Sequence, residues 1–165
     1  MSLESVAARI SEDLKRVVFV GAFAVTCHIG PYRHTHDIDL AVAYQISDRE
    51  LEGMGYRVLR EGGKRVIRTE EGIKLDIYTK DVSGISIPFI FRTAVTKRIR
   101  SKEIKVICLE ALLIAKMRAA RPQDIEDVQM LCGRLGKTIR WDIVDLLATP
   151  VESAELRNVV SAYGG

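Results

Sequence analysis

The chain opens with Leu3, Val6, Ala7, Ile10 and Leu14 recurring at helical spacing, with Glu4, Glu12, Asp13 and Lys15 between them. That pattern predicts a one-sided helix whose apolar stripe needs a sheet or another helix over it. Val17-Val18-Phe19-Val20 follows, a short β-branched and aromatic run with the character of a buried strand, and it stops at Gly21. Ala22 to Ile29 is apolar again and reads as helix, ending near Gly30-Pro31. At Asp37 the period changes to two: Asp37 and Asp39 fall on one face of a strand, Ile38, Leu40 and Val42 on the other. Ser47-Asp-Arg-Glu50 has the form of a capping box, in which serine accepts from an early helical N–H and glutamate reaches back, and Gly55 is placed to end that short helix.

Residues 56–79 predict a β-meander, with strands at Tyr56–Arg60, Arg65–Thr69 and Ile73–Thr79 and turns at Gly62-Gly63 and around Gly72. In the last of these Ile73, Leu75 and Ile77 alternate with Lys74, Asp76 and Tyr78, so Asp76 projects away from the apolar face. The segment 80–91, with Gly84 and Pro88, reads as irregular, and 93–100 with 103–108 as a hairpin or a pair of border strands. Everything after Leu109 reads as helical, with Pro122 at a favoured helix start and a second capping box at Thr149-Pro150-Val-Glu152. The expected fold is α/β (α+β): a single domain over 1–165, with a mixed central sheet at about 16–108, helices on one face, an open acidic face, and a helical C-terminal part at about 109–165.

Composition narrows the class. A chain of 165 residues with 47% hydrophobic and 28% charged residues has enough apolar side chain for one core. A net charge of +3 suits a phosphate-bearing partner without announcing nucleic-acid binding. Cys27, Cys108 and Cys132 are odd in number and far apart, which suggests neither a disulfide framework nor a thiolate zinc site and points to a reducing cytoplasm. Charged residues interrupt the N-terminal apolar stripe, and no apolar run approaches the ~20 residues that span a bilayer, so neither a signal peptide nor a membrane partner is expected.

The candidate chemistry is acidic. Magnesium takes hard oxygen ligands, and in nucleotidyl transfer it sits between carboxylates and substrate phosphates. An Asp-x-Asp on a strand supplies such a pair, although two acids alternating on a solvated strand face are also ordinary. The context is more specific: Val20-Gly21-Ala22-Phe-Ala24, then Arg33-His-Thr35-His-Asp37-Ile-Asp39-Leu, then Leu75-Asp76-Ile, then Leu109 to Lys116 and Arg121-Pro-Gln-Asp124-Ile-Glu-Asp127. In this order the pieces resemble the nucleotidyltransferase superfamily typified by DNA polymerase beta, in particular its small prokaryotic branch that includes toxin components of toxin-antitoxin pairs.

The resemblance implies a catalytic and metal-binding triad of Asp37, Asp39 and Asp76. It would hold two Mg²⁺ ions, with Mn²⁺ as a substitute, and Asp76 would help to deprotonate the attacking hydroxyl. Gly21 and Ala22 would offer backbone N–H groups to the phosphates of ATP or another nucleoside triphosphate, although the family usually has glycine or serine where Ala22 stands. Arg33 would contact a phosphate or pin its loop to an acid, and Lys116 would reach a phosphate unless it is an ordinary helix lysine. Asp124 and Asp127 would orient Lys116 or Arg121. His34 and His36 suggest a rival transition-metal site, with His28 the only further histidine. The basic group Lys97, Arg98, Arg100, Lys102 and Lys105 could guide RNA or a nucleotide, or simply protect a sheet edge. The expected activity is transfer of a nucleotidyl group to an RNA or tRNA end, a protein or a small molecule, with an antitoxin as a further partner. The alternative is a nucleotide- or RNA-binding module without turnover.

Overall fold

Four consecutive buried residues, Val17–Val20, form β1 in the interior of a seven-stranded sheet. The computed structural model describes residues 2–164. In it α1 (Leu3–Leu14) precedes β1, and α2 (Gly21–Ile29) follows without an intervening loop. Then come β2 (Asp37–Val42), α3 (Asp48–Gly53), β3 (Arg57–Glu61), β4 (Lys64–Arg68) and β5 (Lys74–Tyr78). A two-stranded hairpin of β6 (Asp81–Val82) and β7 (Ile85–Ser86) leads to α4 (Ile87–Thr93), β8 (Val95–Ile99) and β9 (Lys102–Val106). The helical remainder is α5 (Leu109–Ala119), α6 (Pro122–Leu135), α7 (Trp141–Leu147) and α8 (Pro150–Tyr163).

The sheet order is β3-β4-β5-β2-β1-β9-β8. It is mixed, as the sequence implies: β1 runs antiparallel to β2 and parallel to β9, and β2 runs parallel to β5. Alternation on β2 is reproduced in burial, since Ile38 and Leu40 are fully buried while Asp37 is exposed. Both capping boxes form. The Glu50 N–H donates to the Ser47 hydroxyl at 3.1 Å and the Ser47 N–H to the Glu50 carboxylate at 2.8 Å, and Thr149 and Glu152 reciprocate in the same way.

Two features differ from the sequence expectation. The segment 80–91 is ordered into the β6–β7 hairpin and α4, because the Ser86 hydroxyl accepts from the Phe89 N–H and Pro88 stands in the first turn, where it lacks only an N–H the helix would not use. The open acidic side is confined to one half of the sheet: β1 is buried throughout, and Ala41, on the same face of β2 as Asp39, is also fully buried. All three cysteines are free. Among the described residues, no helix is long and apolar enough to cross a membrane.

Phe19 and Phe23 meet edge to face at the turn from β1 into α2, with ring centroids 5.4 Å apart and neither ring more than 1% exposed. Their packing fixes the angle at which α2 leaves the strand, and so the position of Gly21. Phe19→Ala should destabilise the protein by about 3–5 kcal/mol, read as a lower denaturant midpoint with an unchanged slope.

Candidate active site

The parallel pairing of β2 with β5 sets Asp37 opposite Lys74, Asp39 opposite Asp76 and Ala41 opposite Tyr78. Residues opposed in this way point to the same face, so Asp76 faces the acidic side as its alternation implied. The Asp39 and Asp76 side chains stand side by side in register, near enough for the charge of Asp76 to act on Asp39, and Lys74 Nζ stands 3.3 Å from Asp76 Oδ1. Burial, then the neighbouring Asp76 charge, push the Asp39 carboxyl up to about 6, against the opposing pull of Lys116. Asp37 stands exposed at the mouth of the same cleft, a space of about 310 Å³ into which Ala22, Arg33, Thr35, Asp76 and Lys116 also look.

Gly21 has φ +66°, a conformation that glycine adopts freely. A Cβ there would lie 2.0 Å from Asp39 Oδ2. The close approach that makes glycine necessary is thus to the Asp39 carboxylate. Because Val20 offers no capping side chain, the first-turn N–H groups of α2 lack a side-chain partner beside that carboxylate.

Lys116 and the late acids form a buried ionic cluster. Lys116 is 5% exposed, and its Nζ lies 3.1 Å from Asp124 Oδ1 and 2.8 Å from Asp127 Oδ2. Arg33 donates to both Asp127 oxygens, at 2.9 and 2.8 Å, and Arg121 Nε donates to Asp124 Oδ2 at 2.7 Å. Both acids are fully buried. Burial would raise the Asp124 carboxyl, but hydrogen bonds from Arg121 and Lys116 outweigh it and hold it below its ordinary value. Burial lowers the Lys116 ammonium, with Asp124 opposing. Arg33 therefore pins its loop to an acid, and Lys116 lines the cleft with its charge already held on both sides.

His34 and His36 meet edge to face at 4.5 Å on the cleft rim, whereas His28 Nε2 lies 2.8 Å from the Ile107 carbonyl, outside it. Among the described residues no three His, Cys, Asp or Glu side chains converge to hold an ion. The acids therefore share a cleft without forming a closed cage, with Asp37 exposed at its mouth. The Thr35 hydroxyl, in the same cleft, is buried without a hydrogen-bond partner among the described residues. Lys97, Arg98, Arg100, Lys102 and Lys105 lie on or beside the border hairpin β8–β9, where Lys102 pairs with Glu12 and Lys105 with Thr96. Tyr78, named from the sequence only for its place in the alternation, and Arg121, named only as a partner of the late acids, also frame the site. Tyr78 and Arg121 line both this cleft and a smaller cavity of about 100 Å³ that also borders Gly21 and Asp39. The alternation that places Asp76 places Tyr78 on the same face, which is the signal that could have found it.

A family described as "Nucleotidyl transferase of unknown function (DUF2204)" matches residues 1–164. The chain belongs to this nucleotidyl transferase family. No curated protein matches it in sequence. Among solved structures, the chain is similar to ANT(2″)-Ia in complex with adenylyl-2″-tobramycin, at 18% identity and a TM-score of 0.61, covering 96% of this chain and 98% of the other. It is also similar to an antigenic nucleotidyltransferase-like protein from Paracoccidioides brasiliensis, at 17% identity and a TM-score of 0.60 over 97% and 86%. JHP933 from Helicobacter pylori aligns at 12% identity and a TM-score of 0.54 over 99% and 93%. At these identities the likeness establishes the nucleotidyltransferase fold, and family membership makes this protein a nucleotidyltransferase.

Two outcomes follow from the geometry of the cleft. Gly21→Ala must either move Asp39 or distort β1, and should lower the thermal midpoint by the equivalent of at least ~1–2 kcal/mol and abolish nucleotidyl transfer. Asp39 has a folded-state pKa above its ordinary value, so the fold favours its protonated form, and metal-free stability falls as pH rises from about 4 through about 6. Asp39→Asn should therefore stabilise the metal-free protein at pH 7.5, by something on the order of 1–3 kcal/mol, and give little gain at pH 4, as measured by thermal melts at the two pH values.

Proposed function

We propose that this nucleotidyltransferase moves a nucleotidyl group from a nucleoside triphosphate to an acceptor hydroxyl with the help of divalent magnesium. The observation that carries the reading is the in-register pairing of Asp39 with Asp76 beside the uncapped start of α2. Hard carboxylate oxygens, a mutual repulsion that a cation would relieve, and a buried Thr35 hydroxyl without a hydrogen-bond partner among the described residues all fit such an ion. Asp39 and Asp76 would hold it, and Asp37 would join by turning inward from the mouth. Bound Mg²⁺, or Mn²⁺ in its place, supplies charge neutralisation to the triphosphate and the leaving pyrophosphate.

The chain's own groups do the rest. Gly21 and Ala22 present backbone N–H groups where phosphate oxygens can accept from them. Asp76 takes the acceptor's proton as the acceptor oxygen bonds to the α-phosphorus and the bond to the bridging oxygen of pyrophosphate breaks. Arg33 and Lys116, tied through Asp127, hold the loop that carries Thr35 and leads into Asp37. ANT(2″)-Ia, a fold relative, carries adenylyl-2″-tobramycin, a nucleotidyl group joined to a sugar hydroxyl. An RNA end, a protein side chain or a small molecule would each offer such a hydroxyl.

The competing reading is nucleotide binding without turnover, favoured by Ala22 in place of the more usual glycine or serine. Incubation with Mg²⁺, α-labelled triphosphates and total RNA separates the two. Label transfer that Asp76→Ala abolishes supports the enzyme, and triphosphate binding without transfer to any acceptor supports the module. A folded protein that binds neither metal nor triphosphate would contradict both.

A further inference from the structure

The register that seats the acids also fixes what lies beyond them on the same sheet face. Asp37 is opposite Lys74 across β2 and β5, Lys74 is opposite Arg68 across β5 and β4, and Arg68 is opposite Arg57 across β4 and β3. One transverse row therefore runs Asp37, Lys74, Arg68, Arg57 from the mouth of the cleft to the border strand. With strands roughly 4.8 Å apart, the three cations span about 10 Å.

Nothing in the fold neutralises this row fully. Arg57 is exposed and has no hydrogen-bond or ion-pair partner among the described residues. Arg68 reaches Glu61 only at 3.4 Å and the Gly72 carbonyl at 3.1 Å, and Lys74 leans toward Asp76. The side chains of Arg68 and Lys74 remain 31% and 36% exposed. α3 covers the opposite face, where Arg65 donates to Asp48 at 2.7 Å. Leu59, 37% exposed, lies two residues from Arg57 on the same side of β3 and adds an apolar spot beside the cations.

We propose that Lys74, Arg68 and Arg57 form a track for the phosphodiester backbone of a single-stranded nucleic acid, whose terminal hydroxyl is the acceptor at the Asp39–Asp76 end. This rests on the nucleotidyl-transfer reading of the cleft and names its acceptor class. A file of cations one side chain wide matches the evenly spaced charges of one backbone, and it repels an amine-rich acceptor. The step balances as above: the terminal hydroxyl oxygen gains the phosphorus, pyrophosphate leaves, and the hydroxyl proton passes to Asp76.

The control is built into β3. Arg60 is also exposed and unpartnered among the described residues but points to the other face, opposite Arg65. Fluorescence anisotropy of a labelled single-stranded oligonucleotide, in RNA and DNA versions, should show Arg57→Gln weakening binding several-fold and lowering the slope of log affinity against log salt by about 0.7. Arg57→Lys should retain binding, and Arg60→Gln should match the parent protein. The RNA and DNA arms identify which sugar the acceptor carries. Absence of oligonucleotide binding, equal losses from Arg57→Gln and Arg60→Gln, or displacement by polyglutamate as readily as by unlabelled strand would overturn the track. Triphosphate binding measured on the same samples keeps the two readings apart: if it persists while the Arg57 variants behave as the parent, the track fails and the cleft stands.

Discussion

The Asp39 carboxylate is pressed against the backbone of Gly21 and lies beside Asp76, an arrangement that costs free energy unless a cation shares it. Three choices in the sequence enforce it. Parallel register between β2 and β5 sets the two acids side by side, glycine at position 21 gives up the side chain that would collide with Asp39, and the Phe19–Phe23 contact holds the turn. A carboxyl whose pKa burial and Asp76 raise, next to a helix start whose N–H groups no described side chain caps, is the feature on which the proposed binding of a metal and a triphosphate rests.

The second constraint is the buried ionic cluster behind the acids. Desolvating Asp124 and Asp127 is costly, and it is offset only because Lys116, Arg33 and Arg121 meet them at hydrogen-bond distance. The cluster joins α5, α6 and the loop that precedes β2, so the helical C-terminal part is tied to the acidic end of the sheet. Loss of one member leaves a buried charge unpaired, and the loop that carries Thr35 would lose its anchor with it. Lys116 thus contributes to the cleft mainly through position, with its ammonium shared by two carboxylates.

Much of this was legible in the sequence. Period-two alternation placed Asp37, Asp39 and Asp76 on one face, and the serine and threonine boxes placed the starts of α3 and α8. The motif order pointed to nucleotidyltransferases, and the chain belongs to a nucleotidyl transferase family. What remained hidden depended on registers and long-range partners. Ser86 with Pro88 was a helix start that looked like a loop, because the short apolar run after it carries no clear period. That Arg33 faces Asp127, 94 residues away, cannot be read from local pattern. Nor can the alignment of Lys74, Arg68 and Arg57, which exists only once three strand pairings are known.

The most direct measurement is anomalous scattering from crystals grown with Mn²⁺ and a non-hydrolysable nucleoside triphosphate. The account predicts a manganese peak bridging Asp39, Asp76 and the triphosphate, with phosphate oxygens against the first N–H groups of α2. Triphosphate bound elsewhere, or manganese away from Asp39 and Asp76, would contradict it.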